Sequence, residues 1–381
     1  MSLDSRISLL QNGTQYFPAL EAAIDGAARE IYLESYIFEN DDTGRRIAAA
    51  LQRAAQRGVE THLLLDGFGA RTLAAEIVAG MRQAGVRVLF YRPELGRWRM
   101  RRHRLRRLHR KLAAIDGKSA FVGGINIIDD MDTPGQIPPR FDYAVQVEGP
   151  LALEVACAAK HLWGLVAWSQ LAQRHLPKRV IRPCPSPSGE TNARFLIRDN
   201  LRHRRDIEGA YLTAIAGAQR EIVIANAYFL PGRRFRHALA SAVQRGVRVV
   251  LLLQGRVEYV LLHYASRALY GTLLDAGVEI HEYHHSFLHA KVAVVDGCWA
   301  TVGSSNIDPF SLLLAREANI VVEDPVFAGE LRASLEQAMQ EGARRVLPQQ
   351  WQQQPRHRRF LAWLSYGLVR LLMGVAGYAN E

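Results

Sequence analysis

The chain has 381 residues, 49% of them hydrophobic, and 48 Lys and Arg stand against 37 Asp and Glu for a formal net charge of +11. That length allows two or three domains with a large core, and the positive surplus calls for acidic partners, either anionic lipid surfaces or nucleic acid. The cysteines, Cys157, Cys184 and Cys298, are scattered without metal spacing, which speaks against a disulfide framework and for a reducing compartment.

The first residues, MSLDSRISLLQNG, include an early acid and no long apolar run, so neither a signal peptide nor a leading transmembrane helix is expected. Helical spacing over Tyr16–Ala28 leads into a strand at Glu30–Phe38. A helix near Arg45–Arg57 ends at Gly58, and an apolar strand follows at Thr61–Asp66. A third helix, about Leu73–Ala84, stops at Gly85 before a strand at Val86–Tyr91, and Ala144–Val147 continues the sheet. The second half repeats this order. ARFLIRDN and a helix near Ile207–Gln219 precede REIVIANAYF, an echo of REIYLESYIF in the first half. VQRGVRVVLLLQG likewise echoes AQRGVETHLLLDG, and AGVEIHEY echoes AGVRVLFY. Such repetition marks an internal duplication: two α/β units, each a mostly parallel sheet wrapped by helices. The expected seam is the Pro-rich run from Pro183 to Pro187. Unit boundaries are expected at 1–182 and 192–350, with a linker over 183–191 and a basic, apolar carboxy-terminal segment over 351–381.

The densest signal is an 18-residue stretch present twice, HRKLAAIDGKSAFVGGIN from His109 and HAKVAVVDGCWATVGSSN from His289. Each copy has His, Lys two later, Asp seven later, Gly fourteen later and Asn seventeen later, in matching register. Alternation around each Lys reads as a strand, Lys111–Asp116 and Lys291–Asp296. After a Gly turn comes a second strand, Ser119–Gly123 and Trp299–Gly303. Side chains two apart on a strand share a face, so His109 pairs with Lys111 and His289 with Lys291. Brought together, the copies offer two His, two Lys and two Asn, Asn126 and Asn306, around one point. Cations and amide donors suit the non-bridging oxygens of a phosphodiester, while one His attacks phosphorus and the other protonates the leaving alkoxide.

This pattern, His-x-Lys-x4-Asp-x6-Gly-x2-Asn, resembles the signature of the phospholipase D superfamily. With GSSNIDPFSLLLAREANI after the second copy, RRLHRK before the first and IVIANAYFLPGRRF opening the second half, the chain is similar to bacterial cardiolipin synthases of the B type. The resemblance covers about residues 5–345 and implies two duplicated α/β/α sandwich units facing each other around one site. It implies a ping-pong phosphatidyl transfer between phosphatidylglycerol molecules through a phosphatidyl-histidine, with His109 as nucleophile and His289 as acid, then base. Cardiolipin is the product and glycerol is released. Lys111, Lys291, Asn126 and Asn306 would bind phosphate. Asp116 and Asp296 belong to the signature, yet in the family they usually hold the fold. No metal and no cofactor is called for. The implied location is the cytoplasmic face of the bacterial inner membrane, peripherally attached, with oligomeric state left open. A phospholipase D-type hydrolase or a nucleic-acid phosphodiesterase on the same scaffold is the alternative.

A nucleophilic His needs its other nitrogen held. Asp142 and Glu317 open corresponding strands, FDYAVQVE and EANIVVE, after the two motifs, and are read as the carboxylates that orient the histidines. Arg97 to Lys111 holds nine Lys or Arg among apolar residues, Trp98 included, and reads as a basic lip for anionic headgroups. Phe360 to Tyr378 is largely apolar behind Arg356, His357, Arg358 and Arg359. It reads as an interfacial helix, with a helix packed on the body and a true span as alternatives. His281, His284 and His285 read as loop histidines facing headgroups. Gly117-Lys118-Ser119 mimics the end of a nucleotide-phosphate loop, but the glycine such a loop needs five residues earlier is Leu112.

Overall fold

The computed structural model describes residues 5–93, 106–133, 135–171, 192–199, 202–257, 260–308, 311, 314–353 and 355–375. Most of the basic lip, the Pro-rich seam, Cys184 and the last residues of the apolar tail lie outside them.

The first half runs β1 (Arg6–Gln11), α1 (Asn12–Asp25), β2 (Glu30–Ser35), α2 (Asp42–Gln56), β3 (Glu60–Asp66), α3 (Ala75–Gln83) and β4 (Arg87–Tyr91). It continues through β5 (Leu112–Ile115), β6 (Ser119–Gly123), β7 (Tyr143–Glu148) and α4 (Pro150–Ser169). The second half runs β8 (Ala193–Arg198), α5 (Asp206–Gly217), β9 (Glu221–Asn226), α6 (Arg233–Gln244), β10 (Arg248–Gln254), α7 (Val260–Arg267), α8 (Tyr270–Asp275) and β11 (Glu279–Tyr283). Then come β12 (Lys291–Val295), β13 (Trp299–Gly303), β14 (Glu317–Glu323) and α9 (Pro325–Gly342), followed by β15 (Ala343–Arg345), α10 (Pro348–Gln352) and α11 (Arg356–Val375).

The strands form two equivalent sheets, β1-β7-β6-β5-β2-β3-β4 and β15-β11-β10-β9-β12-β13-β14-β8. The expectation of mostly parallel sheets is corrected. Among the described strands, β2-β3-β4 and β9-β10-β11 pair in parallel, and the motif strands and their neighbours are antiparallel. The cause is local. Asp116 and Gly117 have φ of 55° and 66°, and Asp296 and Gly297 have 53° and 67°. Two successive positive φ values build the tight turn that returns the chain alongside itself, so each motif must be a hairpin. Gly117-Lys118-Ser119 is part of that hairpin.

Apolar strand faces lead to three cores. One lies between the sheets and takes in α4 and α9; it joins Leu112 and Val145 of the first half to Val292 and Ile320 of the second. The other two lie outside, one under α1, α2 and α3, the other under α5, α6, α7 and α8. Helix α4 is apolar nearly all round, although Leu153, Leu165 and Trp168 on its outer side are exposed. Its Trp163 is wholly buried, edge-on to Tyr32 and His62. By length and composition α4 could cross a membrane, yet half of it is buried here, as a core helix is. Two helix starts are capped by a carboxylate: Asp41 accepts from Gly44 N at 2.7 Å and Asp324 from Phe327 N at 2.7 Å.

Helix α11 lies along α7 and buries Ala362, Ser365 and Val369 against the body. Its opposite side leaves Phe360, Trp363, Leu364 and Leu371 exposed.

Candidate active site

The two motif hairpins sit in the middle of their sheets, and their His-bearing ends reach across to the other half. Leu108 bridges to Arg316, where His109 N donates to Arg316 O at 2.9 Å and Arg316 N to Arg107 O at 2.8 Å. The second half mirrors this: Phe141 bridges to Leu288, His289 N donates to Phe141 O at 2.8 Å and Phe141 N to Phe287 O at 2.8 Å. The residues after Arg316 and Phe141 are Glu317 and Asp142. Each histidine is therefore delivered to the carboxylate of the opposite unit. His109 Nδ1 lies 2.9 and 3.0 Å from the two oxygens of Glu317, and His289 Nδ1 lies 2.6 Å from Asp142 Oδ2. A carboxylate on Nδ1 holds the proton there and turns Nε2 outward as the reactive nitrogen. Neither unit could complete a histidine–carboxylate pair from its own residues.

The lysines stand behind the histidines. Lys111 Nζ donates to His109 O at 2.8 Å, and Lys291 Nζ donates to His289 O. Both are almost fully buried. Burial pushes the Lys111 ammonium down to about 7; Glu317 opposes the shift and Lys291 adds to it. The histidines follow the same logic. Burial lowers His109, Glu317 raises it against that, and Lys111 and Lys291 lower it further. His289 lies well below its ordinary value through burial, then Lys291, Lys111, His109 and Arg140. That His109 acts on His289, and Lys291 on His109, places both motifs in one electrostatic site. Burial raises Asp142 to about 6 despite Lys291, the Tyr143 N–H and Lys111. Crowded, desolvated cations of this kind are relieved by an anion, as a phosphodiester is.

Asn126 and Asn306 are buried just past the open ends of the hairpins, the ends that carry the histidines. Asn126 Oδ1 accepts from Ile37 N at 3.1 Å, which orients its amide. Asp116 and Asp296 are not at the site. A strand separates each from its histidine, roughly 20 Å for six or seven residues. Asp116 accepts from the backbone N–H of Ala28, Arg29 and Glu30 at 2.8–2.9 Å, and Asp296 from Gln219, Arg220 and Glu221 at 2.8–2.9 Å. Burial opposes their ionisation, but these donors outweigh it and hold both carboxyls below the usual range. They pin the motif turn to the start of the neighbouring strand, away from the histidines. The His281 expectation is corrected too: it lies within strand β11, 3.8 Å from Glu279, and not in a loop.

Several supporting residues have no place in the sequence reading. Ser304 Oγ donates to Glu317 Oε2 at 2.6 Å. Its counterpart is Gly124, where a Cβ would come within 2.3 Å of Asp142 Oδ1. Asp66 accepts from Leu108 N at 2.9 Å and so fixes the residue before His109. Arg110, between His109 and Lys111, makes a buried two-pronged pair with Glu34 at 2.8 and 2.6 Å. The usable signal for Ser304 and Gly124 was their place two residues before each Asn; the other two depend on strand neighbours distant in sequence.

A family model described as "Cardiolipin synthase, PLD-like domain" matches residues 20–131 and 211–339. Cardiolipin synthase B of Escherichia coli (strain K12) is 42% identical over 332 residues, 87% of this chain and 79% of that one. Cardiolipin synthase B of Salmonella typhi is 41% identical over 333 residues, 87% of this chain and 80% of that one. Among solved structures, phosphatidylserine synthase of Haemophilus influenzae Rd KW20 superposes with a TM-score of 0.72 at 14% identity, over 98% of this chain and 95% of that one, a likeness of fold. With both motif copies intact and facing each other, the chain belongs to the cardiolipin synthase family of phospholipase D-like proteins.

Proposed function

We propose that this protein is a cardiolipin synthase that transfers the phosphatidyl group of one phosphatidylglycerol to the terminal hydroxyl of a second. His109 Nε2 attacks phosphorus, the bond to the glycerol oxygen breaks, and His289 gives that oxygen a proton so that glycerol leaves. The second lipid's hydroxyl then loses its proton to His289 and attacks phosphorus. The phosphorus–nitrogen bond breaks and both histidines return to their first state. One phosphodiester replaces another, so no external energy source enters. The observation that carries this reading is the pair of histidines, each backed by a carboxylate of the other half, beside two buried lysines.

The roles divide by environment. Both Glu317 oxygens back His109, which suits a neutral nucleophile. Burial raises Asp142 to about 6 and holds His289 well below its ordinary value, so the two bind a proton as a unit, and the charge of a bound phosphodiester draws that proton onto the pair. Lys111, Lys291, Asn126 and Asn306 bind the phosphate oxygens. The exposed apolar side of α11, with Phe360 and Trp363, rests on the membrane surface as an interfacial helix, and the location is peripheral, on the cytoplasmic face of the inner membrane. That side offers nucleic acid no partner, which weighs against a nuclease.

The test incubates purified protein with phosphatidylglycerol in detergent and separates lipids by thin-layer chromatography. Cardiolipin and glycerol are expected from wild type and neither from His109→Ala. Phosphatidic acid as the sole product, or cleavage of single-stranded DNA without lipid turnover, would overturn the reading.

A further inference from the structure

The geometry points to a second anion subsite beside the first, built by Arg92, Arg107 and Arg316, and we propose that it holds the phosphate of the acceptor lipid. The inference rests on the proposed function and sharpens it. Transfer to water brings one phosphate into the site. Transfer to an anionic lipid brings two, joined in the product through a three-carbon bridge, and their mutual repulsion has to be offset.

The cluster is adjacent to the nucleophile by construction. Arg107 precedes His109 by two residues in the stretch that Arg316 bridges, so its side chain emerges roughly 6–7 Å along the same face. A three-carbon bridge between phosphates spans such a gap. Arg316 Nε donates to Tyr91 Oη at 3.2 Å, and the Arg92 and Arg316 guanidinium carbons lie 5.4 and 5.9 Å from the Tyr91 ring centre. Arg107 donates to Arg92 O at 3.4 Å and lies over Phe68 at 5.2 Å. Aromatic faces and backbone carbonyls thus hold half-buried guanidiniums together, and a planar fork of donors matches a phosphate. Asp66 lies 3.8 Å from Arg107, and its oxygens also accept from Phe68, Gly69 and Leu108 N. Burial lowers Arg92, and the charges of Arg106, Arg316 and Arg107 lower it further, a repulsion that a bound anion relieves.

In the other half the three positions themselves are occupied differently. By the register of the repeat, His284, Phe287 and Phe141 stand where Arg92, Arg107 and Arg316 stand. The second phosphate is accepted where this cluster stands, next to His109.

The test offers two acceptors at once. Wild type, the pair Arg92→Gln with Arg107→Gln, and Arg316→Gln are given labelled phosphatidylglycerol in neutral detergent micelles containing butanol. Cardiolipin and phosphatidylbutanol arise from the same micelle and the same intermediate, so their ratio is independent of surface binding. The ratio is expected to fall roughly 10- to 100-fold in the variants, as loss of charge-assisted hydrogen bonds implies, with phosphatidylbutanol formation within about 2-fold of wild type. Lys at the same positions is expected to recover part of the ratio. An unchanged ratio, or an equal fall in both products, overturns the subsite. A wild-type chain that makes no cardiolipin overturns the parent function, and is recognised before any variant is compared.

Discussion

The two halves of the molecule repeat each other strand for strand but surround their histidines differently. Behind His109 lies a charged neighbourhood: Glu34 with Arg110, Asp66, Arg107 and Arg316. Behind His289 the corresponding residues are Ala225, Ala290, Gln254, Phe287 and Phe141, and Phe287 stacks 6.2 Å from the His289 ring. The carboxylates differ too. Glu317 is anchored by Ser304, whereas Asp142 is one methylene shorter and fills the space that Gly124 leaves. A duplicated site that performs two chemical roles has to break its symmetry somewhere. Here the motif residues stay the same while the shells behind them diverge.

The comparison can be broken most violently at the histidines. His109→Ala and His289→Ala are each expected to lower cardiolipin formation by at least about 10^4-fold, since either removes a group the other cannot replace. A single-digit loss in either would mean that the halves do not share one reaction.

The buried pair offers a stability test. Arg110→Ala leaves Glu34 buried without its partner and is expected to cost about 3–5 kcal/mol in urea unfolding. Burial already pushes the Glu34 carboxyl up, so uncompensated it unfolds or protonates. Combining Glu34→Ala with Arg110→Ala recreates the second half's Ala225–Ala290 arrangement and should return most of that loss. A double variant as unstable as the single one would show that the halves are not interchangeable there.

Exchanging the residues that support the carboxylates is subtler. Gly124→Ser puts a Cβ into Asp142 and should lower turnover roughly 100-fold by displacing His289. Ser304→Gly removes one hydrogen bond to Glu317 and should lower it about 10-fold. The reverse order of severity would contradict the steric reading.

The smallest effect concerns pH. With a phosphodiester bound, whose charge returns the proton to the His289–Asp142 pair, kcat should fall on the acid side as His109 is protonated and on the alkaline side as that pair loses its proton. Arg140 depresses His289, so Arg140→Gln favours the protonated pair and should move the alkaline limb upward by about 0.3 pH unit. A downward shift would place the proton carrier elsewhere.

Much of this was legible in the residues. The spacing of His109, Lys111, Asn126 and their partners pointed to paired strands and to the chemistry, because a motif is local and repeats. Asp142 and Glu317 were legible as orienting groups through their matching place in each half. Which carboxylate serves which histidine was not, since the bridges Leu108–Arg316 and Phe141–Leu288 join segments about 150–210 residues apart. The antiparallel pairing is readable in the Asp-Gly turns, although the βα rhythm of the outer strands points to a parallel sheet. Strand β1 lacks alternation, and α4, apolar on all sides, has no amphipathic period to reveal it.

The most direct measurement traps the intermediate. Phosphatidylglycerol labelled in its phosphatidyl group is mixed with enzyme, quenched in denaturant within one turnover, and the protein is digested and mapped by mass spectrometry under alkaline conditions that preserve phosphohistidine. The expected result is a single adduct on the peptide holding His109, absent in His109→Ala. An adduct on His289, or none while product forms, would contradict the assignment of a nucleophile to one half and a proton carrier to the other.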